Sequence, residues 1–194
     1  MGNKSTQKRQ LILEKAKGVF AKKGFKDVTM QDIIDACEIS RGGLYLYFDS
    51  TKEIFMEVLK LEGEESDDTF SKELTEESTG ADILALFLKE QKKEILNKEG
   101  NLTIAIYEFF FSNKVSAKEN PVRMQFKGAV KIIEKLIKDG VETGEFICDN
   151  PLGAARNIMY VLEGLKVCAQ TIGITEETVN KEILYIMEGL VSDS

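Results

Sequence analysis

Three helix starts crowd into the 22 positions from Thr29 to Ser50, and no other feature restricts the fold of this chain so tightly. Thr29-Met30-Gln31-Asp32 sets a hydroxyl at an N-cap and a carboxylate three residues on, so that each can satisfy a free N–H of the first turn. Val28 and Ile33 flank the cap as a hydrophobic staple. Ser40 repeats the signal with Ile39 and Leu44 as its staple, and Ser50-Thr51-Lys52-Glu53 is a full capping box. The spacing predicts two short helices of about seven residues joined by a three-residue turn, which is a helix-turn-helix. These are the chain's second and third helices, the second ending near Cys37 and the third closing at Phe48.

The flanking sequence is helical in the same way. Ile12, Ala16, Val19 and Phe20 recur at helical spacing in a first helix expected from Ser5 to Lys23, with Gly24 as its left-handed stop. Beyond Leu61 the stretch from Glu62 to Gly80 is rich in acid, Ser and Thr, so the fourth helix is expected to run into it and then give way to a loop. Longer amphipathic segments follow over 81–96, 102–115, 121–143, 152–172 and from Thr175 to the end. Pro121 suits a first helical position, and 152–172 is apolar on nearly every face, which implies burial on several sides. Strand alternation and internal repeats are missing. The expected fold is all-α, with a three-helix helix-turn-helix domain at 1–48 and a second helical domain at 49–194.

Charge divides along the same line. The net charge is -7, yet residues 1–60 carry 11 basic and 8 acidic side chains while the remainder carries 15 and 25. A basic head on an acidic body suits a chain that meets phosphate at one end only. The absence of histidine and the three scattered cysteines, Cys37, Cys148 and Cys168, argue against a zinc site, a disulfide framework or histidine-based catalysis. No nucleophile–base motif or phosphate loop stands out, so neither an enzyme nor a cofactor is expected. The polar start MGNKSTQKRQ lacks the apolar core of a secretory signal, and a cytoplasmic protein without a membrane partner is expected. Met1-Gly2 with Thr6 formally fits an N-myristoylation pattern, and is read instead as the start of a basic arm.

The stretch VTMQDIIDACEISRGGLYLYFDSTKEIF, Val28 to Phe55, resembles the DNA-binding signature of the tetracycline-repressor (TetR) family. Thr29, Ile33, Ala36, Ser40, Gly42, Leu44, Tyr45, Tyr47, Phe48 and Ser50 fall in register with it. The chain departs from the pattern at Glu38, where glycine is usual, and at Lys52, one position later than the usual lysine. It departs again at Gly43, in place of Thr, Ser or Ala, and at Leu46, in place of a polar residue. The resemblance implies that Tyr47 holds a phosphate and that Tyr45 lies on the DNA surface. Elementary chemistry adds Ser40 as the cap of the reading helix, and Arg41 for a guanine edge or a phosphate. Thr29, Gln31 and Lys52 are expected to hold the backbone. Gly42 and Gly43 cost about 1 kcal/mol each in a helix relative to Ala, which makes sense if that face must approach DNA closely or if the helix start is crowded. Leu44 and Phe48 are assigned to the core.

The resemblance further implies a homodimer through the last two helices, where Gly164 and Gly189 permit close approach, reading a palindromic operator. It also implies a small-molecule effector among the middle helices. Phe87, Gln91, Tyr107, Phe110, Phe111, Met124 and Tyr160 are the candidate lining, combining apolar bulk with a few hydrogen-bonding groups. The run Phe109-Phe110-Phe111 is the sharpest pointer, since three consecutive aromatics cannot face one stripe. With no basic cluster there, a hydrophobic or cationic ligand is expected. Glu90, Glu94, Glu108 and Glu163 are possible negative partners, and the extended fourth helix is the expected lever between ligand and head.

Overall fold

A computed structural model describes residues 2–72, 78–97 and 100–191. Nine helices and no strand run through the described residues: α1 (Gly2–Lys23), α2 (Met30–Cys37), α3 (Arg41–Tyr45), α4 (Thr51–Lys72), α5 (Gly80–Leu96), α6 (Thr103–Ser112), α7 (Pro121–Thr143), α8 (Pro151–Thr171) and α9 (Glu176–Glu188). None of them is long and apolar enough to cross a membrane. They form two compact units, Met1–Ser66 with Glu99–Pro121, and Asp67–Lys98 with Val122–Ser194.

In the first unit the periodicity of α1 buries Ile12, Ala16 and Phe20 on one face and leaves Lys15, Lys22 and Lys23 exposed. Full burial of such side chains contributes roughly 1.5–3 kcal/mol each relative to exposure. The centre of this unit is aromatic. Phe20 meets Phe55 of α4 edge-on at 4.7 Å between ring centroids, and Phe109 of α6 meets Phe25 at 4.7 Å and Phe55 at 5.1 Å. Edge-to-face pairs of this kind add about 0.5–1.5 kcal/mol beyond area burial. The packing therefore continues past residue 48, taking in the first part of α4 and, from further along the chain, α6.

The second unit is built from α5, α7, α8 and α9. Leu84 and Leu88 of α5, Ile133 and Ile137 of α7, Ile158 and Leu162 of α8 and Val179 of α9 form one buried cluster. Asn150 caps α8, its Oδ1 accepting the Gly153 N–H at 3.0 Å, with Pro151 in the first turn. Thr175 caps α9 through the Thr178 N–H at 3.1 Å. Burial on several sides of α8 was expected, but the chain buries one face, Ala155, Ile158, Met159, Leu162 and Leu165 at helical spacing, and leaves Tyr160 and, just past the helix, Ile172 facing outward.

Several boundaries differ from the sequence reading: α1 begins at Gly2 where Ser5 was expected, and α9 ends at Glu188. The helix expected over 102–115 stops at Ser112, where Asn113 turns to extended backbone (φ −124°, ψ 132°) while its N–H and side-chain amide both donate back to the Phe109 carbonyl, at 2.8 and 3.0 Å. The helix expected to close at Phe48 has its last α-helical residue at Tyr45, although the turn runs on through the Phe48 N–H, which donates to the Leu44 carbonyl at 3.2 Å.

Candidate nucleic-acid interface

The surface in question is assembled from the start of α2, the whole of α3 and the start of α4. Its scaffold is the row of caps. Thr29 Oγ1 accepts the Asp32 N–H at 3.2 Å while Asp32 Oδ2 accepts the Thr29 N–H at 2.8 Å, closing the expected box. Lys23 at the end of α1 reaches Asp32 Oδ1 at 2.6 Å. This lysine, with the two hydrogen bonds from Thr29, lowers the Asp32 pKa from an ordinary 3.8 to about 2. Ser40 Oγ accepts the Gly43 N–H at 3.1 Å, and Ser50 Oγ accepts the Glu53 N–H at 3.2 Å. The return bond of this last box goes one residue upstream of the cap, Glu53 accepting the Asp49 N–H at 2.8 Å.

Between α2 and α3 the backbone turns at Glu38, which caps α2 in the left-handed region with φ 53° and ψ 40°. A glycine adopts that conformation freely, whereas a side chain strains it by roughly 1 kcal/mol. The turn thus keeps the geometry that the family's glycine would give.

The nine predicted contact residues are distributed over this surface as follows. Thr29, Gln31, Ser40, Arg41, Gly42, Tyr45 and Lys52 are exposed, and Gly43 and Tyr47 are half-buried. The hydroxyls of Thr29 and Ser40 are engaged by their caps, and the Gln31 amide donates to Asp35 Oδ1 at 2.7 Å. Arg41 holds its guanidinium 5.5 Å above the Tyr45 ring, a cation–π contact on the exposed face. Leu44 and Phe48 are buried, as assigned, and Arg9 of α1 lies 5.1 Å over the Phe48 ring while pairing with Glu57 at 2.5 Å. The two glycines separate. A Cβ on Gly42 would meet nothing within 4 Å, while one on Gly43 would press to 3.2 Å from Ser40 Oγ. Crowding at the cap bears on Gly43; open space bears on Gly42.

The seven effector candidates divide between the units. Tyr107, Phe110 and Phe111 belong to the first, and Phe87, Gln91, Met124 and Tyr160 to the second. Tyr107 and Phe111 pair at 5.8 Å, Phe110 stands edge-on to Phe109 at 5.0 Å, and Phe111 is 83% exposed. Phe87 packs half-buried against the second core, Gln91 is half-buried, Met124 is exposed, and Tyr160 lies 5.4 Å from Phe126. None of the seven lines the surface depression of about 440 Å³ between Lys89, Lys92, Lys93, Leu96, Asn97 and Glu176. The four acids considered as ligand partners are each engaged. Glu90 pairs with Lys93 at 2.5 Å, Lys166 lies 3.2 Å from Glu94 and 3.7 Å from Glu163, and Glu108 accepts backbone N–H groups of the first unit.

Glu108, read from the sequence only as a negative partner for a ligand, instead braces the backbone turn after α1. Its Oε2 accepts the N–H of Phe25 at 2.7 Å and of Lys26 at 3.0 Å, at the turn where Gly24 takes φ +78°. A Cβ on Gly24 would stand 2.5 Å from that same oxygen. The only advance signal was Gly24 itself.

An all-helical protein with a capped helix-turn-helix on a basic head and a separate helical unit is a DNA-binding regulator in class. Residues 12–58 match the family model for bacterial regulatory proteins of the tetR family, and residues 83–191 match the tetracyclin repressor-like C-terminal domain. The chain belongs to the TetR family of transcriptional regulators. It is 33% identical over 151 residues to the uncharacterized HTH-type transcriptional regulator YfiR of Bacillus subtilis (strain 168), covering 75% of this chain and 71% of that one. It is 28% identical over 149 residues to the HTH-type transcriptional regulator QacR of Staphylococcus aureus (strain Mu50), covering 76% and 77%. A solved TetR transcription regulator from Haloarcula marismortui shares the fold at a TM-score of 0.84 and 18% identity, over 96% of this chain and 100% of that one.

Proposed function

We propose that this regulator is a repressor that binds a palindromic operator as a homodimer and is released by a small hydrophobic or cationic effector. The observation that carries the DNA side is the exposed row formed by α3 and the starts of α2 and α4, fixed by three side-chain caps. The head at 1–48, together with Ser50 and Lys52 at the start of α4, supplies that row, and the remainder of 49–194 supplies effector binding and dimerisation. Thr29, Gln31, Ser40, Tyr47 and Lys52 position the duplex, while Arg41, Gly42, Gly43 and Tyr45 approach the bases. A DNA partner implies a cytoplasmic location.

Dimerisation through α8 and α9 is supported by apolar side chains turned outward on both, among them Tyr160 at 64% exposure, Leu184 and Tyr185. Gly164 has open space where a Cβ would sit, whereas a Cβ on Gly189 would meet its own helix's Tyr185 carbonyl at 3.3 Å, so close approach rests on Gly164. Two heads about 34–36 Å apart, or a multiple of that, would read successive major grooves. The effector favours a dimer whose heads are wrongly spaced, and so shifts the population off DNA.

Selection from randomised duplexes, followed by titration over a salt range, tests this reading. Recovery of a palindrome bound tightly and with steep salt dependence supports it. Weak, sequence-blind binding overturns it.

A further inference from the structure

The reading helix carries one side chain with nothing to do in the free protein. The C-cap residue Leu46 keeps right-handed helical geometry (φ −65°, ψ −24°), so the helical step of about 100° per residue extends to it. Leu44 and Phe48 define the inward line of α3 and its last turn, both being fully buried. A position two residues from Leu44 swings by about 200°, so Gly42 and Leu46 occupy the line that points directly away from the core. At Gly42 that line is bare and open. At Leu46 it bears an isobutyl group that is 77% exposed. Arg41 and Tyr45 form the next ridge, one over the other.

We infer that Leu46 selects a thymine in each operator half-site by packing against its 5-methyl group. The inference rests on the operator-binding reading and adds to it a residue and a base. A leucine has no donor or acceptor, so it gains nothing from a phosphate or a guanine edge. Among the groups on the floor of the major groove the thymine methyl is the apolar one. The bare position at Gly42, one turn back on the same line, lets the backbone come close enough for a side chain of leucine's length to touch it. The family pattern has a polar residue at this position, so the thymine preference is a property of this chain's departure from it.

The test uses the full-length protein and the palindrome recovered by selection, with each thymine replaced singly by deoxyuridine, which removes the methyl and nothing else. At one thymine per half-site, loss of the methyl weakens wild-type binding about fourfold, the worth of one buried methyl-sized group. Leu46→Ala binds both forms of that site equally, and Leu46→Met, which keeps the apolar reach, restores the discrimination. Because the side chain is exposed, both variants keep the wild-type thermal melt. If wild type binds the palindrome with steep salt dependence but no thymine shows a methyl effect that Leu46→Ala abolishes, the inference is overturned while operator binding stands. If wild type shows no sequence preference on unmodified DNA, both fall together.

Discussion

The carboxylate of Glu108 on α6 sits 2.7 Å from the backbone N–H of Phe25, a residue 83 positions earlier, and closes the turn that ends α1. A second N–H, that of Lys26, shares the same oxygen. Charge-assisted bonds of this kind are about twice as strong as neutral ones. Glu108→Ala takes the acceptor from the part-buried Phe25 N–H and leaves the exposed Lys26 N–H to water, and should cost about 1–2 kcal/mol by urea unfolding. Glu108→Gln keeps one acceptor oxygen and should cost less. Equal stability of all three proteins would mean that water replaces the carboxylate without loss.

Glu38→Gly should stabilise the protein by about 1 kcal/mol, because it relieves a side chain held at positive φ. The strain is local to the turn between α2 and α3, so operator affinity should change little. A destabilised Glu38→Gly variant would show that the Glu38 side chain makes a contribution larger than its backbone strain.

Asp32 is the third case. Its folded pKa, about 2, lies below the ordinary 3.8, so the folded state holds the ionised form more tightly than the unfolded chain does. The stabilisation is therefore complete above the unfolded value and is lost as the pH falls through 3.8 toward 2. An NMR titration of the carboxyl carbon should place the midpoint near the lower figure. Lys23→Met removes the largest cause and should move the midpoint up. A midpoint near 3.8 in wild type would mean that the box does not persist in solution.

Two neighbouring aromatics should behave in opposite ways. Phe109→Ala empties the centre of the aromatic cluster and should cost about 3–5 kcal/mol. Phe111→Ala removes a side chain that is 83% exposed and should stay within about 0.5 kcal/mol. On the proposed division of labour, Phe111→Ala also alters induction in an operator-release assay while leaving operator affinity intact. Equal loss of both would sink that division.

Legibility in the sequence followed the range of the interaction. The box at Thr29, the caps at Ser40 and Thr175 and the start of α7 at Pro121 were all readable, because each is decided within one turn of helix. The end of α6 was not, since Asn113 leaves the helix by taking extended backbone, a choice that composition does not announce. Leu44 and Phe48 were assigned to the core from the sequence and are buried, but the outward standing of Leu46 needed the observed backbone angles of the turn. Glu108 looked like any surface acid of an amphipathic helix. Its partners are two backbone N–H groups far upstream, and no side-chain pattern encodes those.

The first unit is spelled out in two instalments, with α5 composed in between. A ribosome that has released α1 to α3 has therefore not yet released the means of finishing their core: Phe20 waits for Phe55, and Phe25 waits for Phe109. The DNA-reading surface matures only once α6 has emerged, and until then its aromatics are exposed to misassociation. For the same reason a fragment ending at residue 48 should not serve as a portable DNA-reading cassette. A graft onto another body needs α6, or a substitute for Phe109 and Glu108, to travel with it.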